Sequence, residues 1–162
     1  MRVLMVSKAC VVGQYQSKLE ELAKFSDLEL TVAVPPFWRD ERGVMPLERA
    51  HVSGYNLIVT PMRFNGSFHL HYYPRLIELI QELRPQVVHI DEEPYNFATF
   101  HLMRAAERIH AKTLFFTWQN IFRRYPLPFF YFEQYTFNHA RYAIAGNAEA
   151  ADVLRAKHFH GP

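Results

Sequence analysis

The chain has 162 residues, 49% hydrophobic and 21% charged, the make-up of one compact globular domain with room for a sizeable core. Its formal charge is only +2 and Arg123 with Arg124 is the sole adjacent basic pair, so the electrostatic footprint of a phosphate-backbone binder is missing and nucleic acid is excluded as a partner. Cys10 stands alone, which rules out an internal disulfide or a cysteine-based zinc site; the chain reads as cytoplasmic.

In chain order, Arg2 to Val6 is a continuous apolar strand, and Ser7 and Lys8 break the run before it can resemble a signal sequence. Tyr15 to Phe25 carries Leu19, Leu22 and Phe25 on one helical face. Leu28 to Val34 reads as the second strand, stopped by Pro35 and Pro36. Phe37 to Gly54 is polar and irregular, with space for a short edge strand or hairpin, and Tyr55 to Pro61 is a further strand. A helix is expected over Leu70 to Leu83, a strand over Val87 to Ile90 and a helix over Phe97 to His110. Thr113 to Trp118 then reads as a strand, Phe129 to His139 as an aromatic-rich helix, Tyr142 to Ala145 as the last strand and Glu149 to Lys157 as the last helix. Strands alternating with helices predict a Rossmann-like, doubly wound, mainly parallel α/β sheet with helices on both faces. No stretch approaches the roughly 20 apolar residues of a membrane-spanning helix.

The stretch VVHIDEEPYN, residues 87–96, carries the strongest chemical signal. An apolar strand ends in Asp91, Glu92 and Glu93, and in an open parallel sheet ligands bind beyond the carboxyl ends of the strands. Three adjacent acids repel one another, so at least one should face a cleft or a cationic partner. The plainer alternative is that Glu92 and Glu93 cap the following helix, with Pro94 near its first turn.

Taken together, VSKACVVG, VVHIDEEPYN, LFFTWQN and YAIAGNAEAADVL resemble the N-terminal half of a family 4 glycosyltransferase of the GT-B fold, over Met1 to Pro162. The resemblance implies a single Rossmann-like domain, residues 1–162, that binds a sugar or lipid-linked hydroxyl acceptor. A second domain, absent from this chain, would bind most of the nucleotide-sugar cosubstrate. The sequence ends where an interdomain linker would begin, so a fragment inactive on its own is expected. No other cofactor and no metal are implied.

Within that resemblance Asp91 or Glu92 falls where relatives place a residue against the acceptor hydroxyl. In an inverting enzyme either would be a general base. In a retaining enzyme, as most of the family are, they would position the acceptor. Glu93, Tyr95 and Asn96 follow on the same loop. Trp118, Gln119 and Asn120 end the next strand on the same sheet edge, where an indole can stack on a sugar ring and amides can bond its hydroxyls; capping of the next helix is the alternative for Gln119 and Asn120. Val12, Gly13 and Gln14 form the loop that in relatives lies under the donor diphosphate, although the paired glycines are missing here. Gly13 either lets a phosphate approach the backbone or is a turn glycine with positive φ.

His69 and His71 share an i, i+2 spacing, as do His89 and Asp91, but no third metal ligand is fixed by the sequence. Cleft contact or local packing is expected of His69 and His71. Residues 129–137, FFYFEQYTF, read mainly as core packing; with Arg123 and Arg124 beside them, the alternative is a peripheral contact with the inner face of the membrane. Two rival functions stay open. One is a stand-alone Rossmann-like domain binding or sensing a small ligand; the other, weaker, is a metal-dependent hydrolase built on the histidines.

Overall fold

A computed structural model describes residues 1–162. Its centre is a six-stranded sheet built from β1 (Arg2–Val6), β2 (Glu29–Val34), β5 (Asn56–Val59), β6 (Val87–Ile90), β7 (Lys112–Thr117) and β8 (Tyr142–Ala145), in the spatial order β5-β2-β1-β6-β7-β8 with every neighbouring pair parallel. The chain winds outward from β1 through β2 to β5, then returns to the other side of β1 and winds outward again. The order therefore reverses between β1 and β6, and the crevice beyond their carboxyl ends is the topological switch point at which such sheets bind ligands.

Alternation along the central strand explains both cores. Leu4 and Val6 face a larger apolar cluster with Leu76 and Ile80 of α2 (Leu76–Leu83) and Leu102 and Met103 of α3 (Phe97–Glu107). Phe137 of α4 (Phe129–His139) and Leu154 of α5 (Ala148–Ala156) complete it. Met5 faces a smaller cluster on the opposite side, with Leu19 of α1 (Ser17–Ala23) and Leu30, Val32 and Val34 of β2. Strands buried on both faces must be apolar at every position, which is why the sequence shows unbroken runs there. The expected doubly wound α/β fold with helices on both faces is the one observed.

An antiparallel hairpin of β3 (Phe37–Asp40) and β4 (Gly43–Pro46) stands outside the sheet, its turn closed by Gly43 at a φ of +111° that favours glycine. It carries Trp38, only 4% exposed, onto the ring of His71 at 5.4 Å. Behind it, two 3-10 turns, Ala9–Val11 and Gly13–Gln16, lead from β1 into α1. The fully buried Gln16 carboxamide ties this crossover to the segment after the hairpin, donating to the carbonyls of Cys10 (2.8 Å) and Glu48 (2.7 Å) and accepting from the amides of Ala50 (3.2 Å) and His51 (3.3 Å).

One expected element starts late. The helix predicted over Leu70 to Leu83 begins at Leu76, because Arg63 and Tyr72 pair as an antiparallel bridge and His71 and Tyr73 are fully buried ahead of it.

Candidate functional site

The ends of β1 and β6 meet at the switch point, and their three successive carboxylates diverge. Asp91, whose amide bonds to the Val6 carbonyl at 2.9 Å, turns toward β1 and α1. It accepts from the Ser7 hydroxyl at 2.7 Å and pairs with the Lys18 ammonium at 3.2 Å. Ser7 in turn accepts from the Cys10 amide at 3.2 Å, which fixes the hydroxyl toward the acid.

Glu92 points inward, its side chain fully buried. It forms an ion pair with Lys8, accepts from the Lys8 amide at 3.3 Å, and lies 3.3 Å from His71 Nε2 and 3.5 Å from the Tyr73 hydroxyl. The Lys8 ammonium also lies 5.5 Å from the centre of the Trp38 ring, so the hairpin seals this pair from above. Burial works against the charged form of Glu92. Lys8 and His71 more than offset it and hold its pKa down to about 2.

Glu93 turns the other way, to the end of β7, accepting from the Thr117 hydroxyl at 2.6 Å and the Trp118 amide at 2.8 Å. Burial raises its pKa despite those two bonds. Neither Glu92 nor Glu93 caps α3: Asn96 is the N-cap, and its buried side-chain oxygen has no partner.

Lys8, Ala9, Tyr15, Lys18, the acidic loop, Phe116 and Trp118 enclose an open cleft of about 490 Å³. Trp118, 58% exposed, forms one wall; its indole lies so close over Gly146 that a Cβ there would stand 2.5 Å from the ring. A smaller hollow of about 180 Å³ shares Glu93 and Trp118 with the cleft and continues past Tyr95, Gln119, Asn120, Arg123 and Tyr125. Tyr95 and Tyr125 stack at 4.2 Å, with His69 5.4 Å from the Tyr95 ring. Burial, then the neighbouring Glu93, push the Tyr95 hydroxyl far above its usual range, so it stays a hydrogen-bond donor.

Several sequence expectations change on this geometry. The Glu92 carboxylate is fully buried and already paired with Lys8, and a group held near pKa 2 makes a poor base at neutral pH. His71 is buried beside it, with Nδ1 at 2.9 Å from the Ser67 carbonyl, and His69 packs among aromatic rings at the edge of the smaller hollow, so the two rings share no site. Asn96 is 2% exposed and stands at the helix start. In the loop of Val12, Gly13 and Gln14, the Gly13 amide donates to the Glu48 carboxylate at 2.5 Å, which fills the place a phosphate would take and would repel one. Gly13 has no positive φ; a side chain is excluded because its Cβ would stand 2.7 Å from that of Ala50. Gln119 and Asn120 do not cap α4, whose N-cap is Pro128; the Gln119 carboxamide meets Ile121 and Lys157.

Asp91, Glu93 and Trp118 do come together at the cleft. Lys8, Tyr15 and Lys18 join them there, and the fully buried Ser7 reaches Asp91 from behind, although the sequence did not single these four out as site residues. Ser7 and Lys8 carried the same signal as Asp91, a polar pair ending an apolar strand, whereas Tyr15, on the second 3-10 turn, and Lys18, on α1, are brought in only by the packing of that crossover.

No known family profile matches the chain, and no curated protein matches it. Solved structures do. A crystal structure of UDP-N-acetylglucosamine 2-epimerase superposes with a TM-score of 0.59 at 17% identity, covering 98% of this chain and 45% of that one. UDP-GlcNAc 2-epimerase from Neisseria meningitidis, bound to UDP-GlcNAc, superposes with a TM-score of 0.56 at 14% identity, covering 97% of this chain and 44% of that one. At such identity the likeness is one of fold, a Rossmann-like α/β fold shared with GT-B-type epimerases. The chain spans less than half the length of either structure.

Proposed function

We propose that this domain serves a nucleotide-sugar enzyme, and that it forms the acceptor-binding half of a glycosyltransferase whose second domain holds the donor. The observation that carries this reading is the cleft of about 490 Å³ at the switch point, walled by an exposed indole and edged by Asp91 and Lys18. A flat aromatic wall opposite hydrogen-bonding charges is the arrangement that takes a sugar ring, apolar face to the indole and hydroxyls to the acid. The fold likeness to two enzymes named for UDP-GlcNAc supports the same class of ligand.

In this reading Asp91 is the residue that meets the acceptor, orienting a hydroxyl in a retaining reaction or taking its proton in an inverting one. Ser7 and Lys18 hold Asp91 in place, and Glu92 with Lys8 fixes the loop from behind. Trp118 supplies the stacking wall. The test is release of nucleoside diphosphate from UDP-, GDP- and ADP-sugars by the full-length gene product with candidate acceptors, comparing the wild type with Asp91→Asn and Trp118→Ala. Acceptor-dependent release that both variants reduce upholds the reading; release indifferent to both removes this cleft from the reaction.

The fold neighbours favour one rival, a nucleotide-sugar epimerase. Inversion at a sugar C2 must break and remake a C–H bond, so an epimerase incubated with UDP-GlcNAc in deuterated water would incorporate deuterium at C2 with no acceptor present. A transferase would not.

A further inference from the structure

We infer that the smaller hollow beside the cleft reads an anionic group, so that the acceptor is a sugar bearing a carboxylate or a phosphate monoester and Arg123 is the residue that selects it. This names an acceptor class for the site proposed above and rests on that reading. The hollow, of about 180 Å³, shares Glu93 and Trp118 with the cleft. One ligand can therefore hold its ring in the cleft and a substituent in the hollow.

The hollow gathers hydrogen-bond donors. Tyr95 and Tyr125 stack with ring centres 4.2 Å apart, and burial above all keeps both hydroxyls protonated. The charge of Arg123 acts on both of these hydroxyls, which places its guanidinium beside them. Arg123 forms no ion pair within the chain. The Asn120 carboxamide lines the same hollow.

The other charges around the hollow are already engaged. Glu93, the one acid that lines it, accepts from the Thr117 hydroxyl at 2.6 Å and the Trp118 amide at 2.8 Å and so faces the end of β7. Behind Tyr125, Lys157 lies 4.9 Å from the ring centre and is paired with Glu133 at 2.5 Å. Arg124 lines the neighbouring hollow along α4 and α5, not this one. A neutral sugar would leave the Arg123 guanidinium without a counter-ion, whereas its planar fork matches a carboxylate or a phosphate. Each Glu93 oxygen keeps a second lone pair for a hydroxyl of the same ligand. A sugar acid meets all three features, with its ring on Trp118, a hydroxyl on Glu93 and its anion on Arg123.

Titration calorimetry of the full-length gene product with glucose, glucuronate and glucose 6-phosphate tests the inference. At least one of the two acids is expected to bind about tenfold or more tighter than glucose, the worth of a hydrogen bond to a charged group, and the tighter of them identifies the anion. Arg123→Gln should abolish that preference. Tyr125→Phe, which keeps the stacked ring, should weaken it, and Arg124→Gln should retain it. Arg123 and Arg124 are both exposed, and unchanged thermal melts would show the variants folded. Equal binding of the three sugars, binding of none, or a preference that survives Arg123→Gln overturns the inference. So does a preference lost as fully in Arg124→Gln, which would make it an effect of general charge. A preference that depends on Arg123, without acceptor-dependent release of nucleoside diphosphate, would instead end the transferase reading and leave the anion subsite standing.

Discussion

Asp91 and Glu92 are neighbours in sequence, yet their carboxylates sit in separate ion pairs, Asp91 with Lys18 at 3.2 Å beside the cleft and Glu92 with Lys8 in the interior. A run of acids at the end of a strand thereby splits between two cations, one at the edge of the cleft and one behind the loop. Both carboxylates are buried, Asp91 at 5% and Glu92 at 0%, but the Lys18 side chain is 48% exposed and that of Lys8 only 16%, so the two pairs differ in how far the cation is shielded from water.

Removing one partner of a buried pair leaves the other charge uncompensated, at a cost of about 3–5 kcal/mol. Glu92→Gln should therefore lower the free energy of unfolding by roughly that amount in a urea titration. Asp91→Asn leaves the Lys18 ammonium, which is 48% exposed and can be solvated, without its partner and should cost less, about 1 kcal/mol. Equal losses for the two would contradict the division of roles.

Stability should fall steeply in acid. Glu92 has a folded-state pKa of about 2 against an ordinary 4.5, so its contribution is fully present above 4.5 and is lost as pH drops toward 2, a swing of about 3 kcal/mol. Glu93 and Glu133 have the opposite sign. Burial raises both, the folded state takes up their protons first, and lowering the pH from neutrality through their folded pKa values adds stability. Thermal melts across pH should show a maximum on the mildly acidic side, and Glu92→Gln should flatten the acid limb alone.

Gly146→Ala should displace Trp118, because the added methyl would stand 2.5 Å from the indole. Trp38, the only other tryptophan, is 4% exposed and acts as an internal reference. A change in tryptophan emission with the melting temperature nearly kept is expected. If the cleft takes a ring against this indole, Gly146→Ala and Trp118→Ala should each weaken ligand binding by about tenfold in calorimetry.

Lys157 is 5% exposed and reaches Glu133 at 2.5 Å, while its ammonium lies 4.9 Å from the centre of the Tyr125 ring and 5.7 Å from that of Phe122. It therefore holds the segment after β7 down onto α4 and α5. Lys157→Met should release that segment, and limited trypsin digestion should cut after Arg123 and Arg124 faster than in the wild type. An unchanged cleavage rate would mean that the segment is held by its aromatic contacts alone.

Much of the fold was legible in the sequence, for a definite reason. The strands at Val87–Ile90 and Tyr142–Ala145 and the helix at Phe129–His139 fall at the bounds expected of them, because buried parallel strands and a punctuated helix announce themselves in hydrophobicity. The failure before α2 has the same origin. Residues 70–75 have the apolar content of a helix, but His71 and Tyr73 are buried by tertiary contact with Trp38 and Glu92, and no periodicity records that. The site was legible as a place rather than as a set of roles. That Glu92 would meet Lys8, or that Glu48 would take the Gly13 amide, depends on segments packed together from far apart in the chain.

The carboxamide of Gln16 has a consequence for the ageing of the protein. Two carbonyl oxygens receive its NH2 group, so hydrolytic deamidation, which exchanges that nitrogen for oxygen, would set oxygen against oxygen at Cys10 and Glu48 and force apart the joint between crossover and hairpin. Full burial keeps water from the amide while the joint is closed. The chemical clock at Gln16 therefore runs only in molecules that have already opened, and each one it strikes loses the means to close.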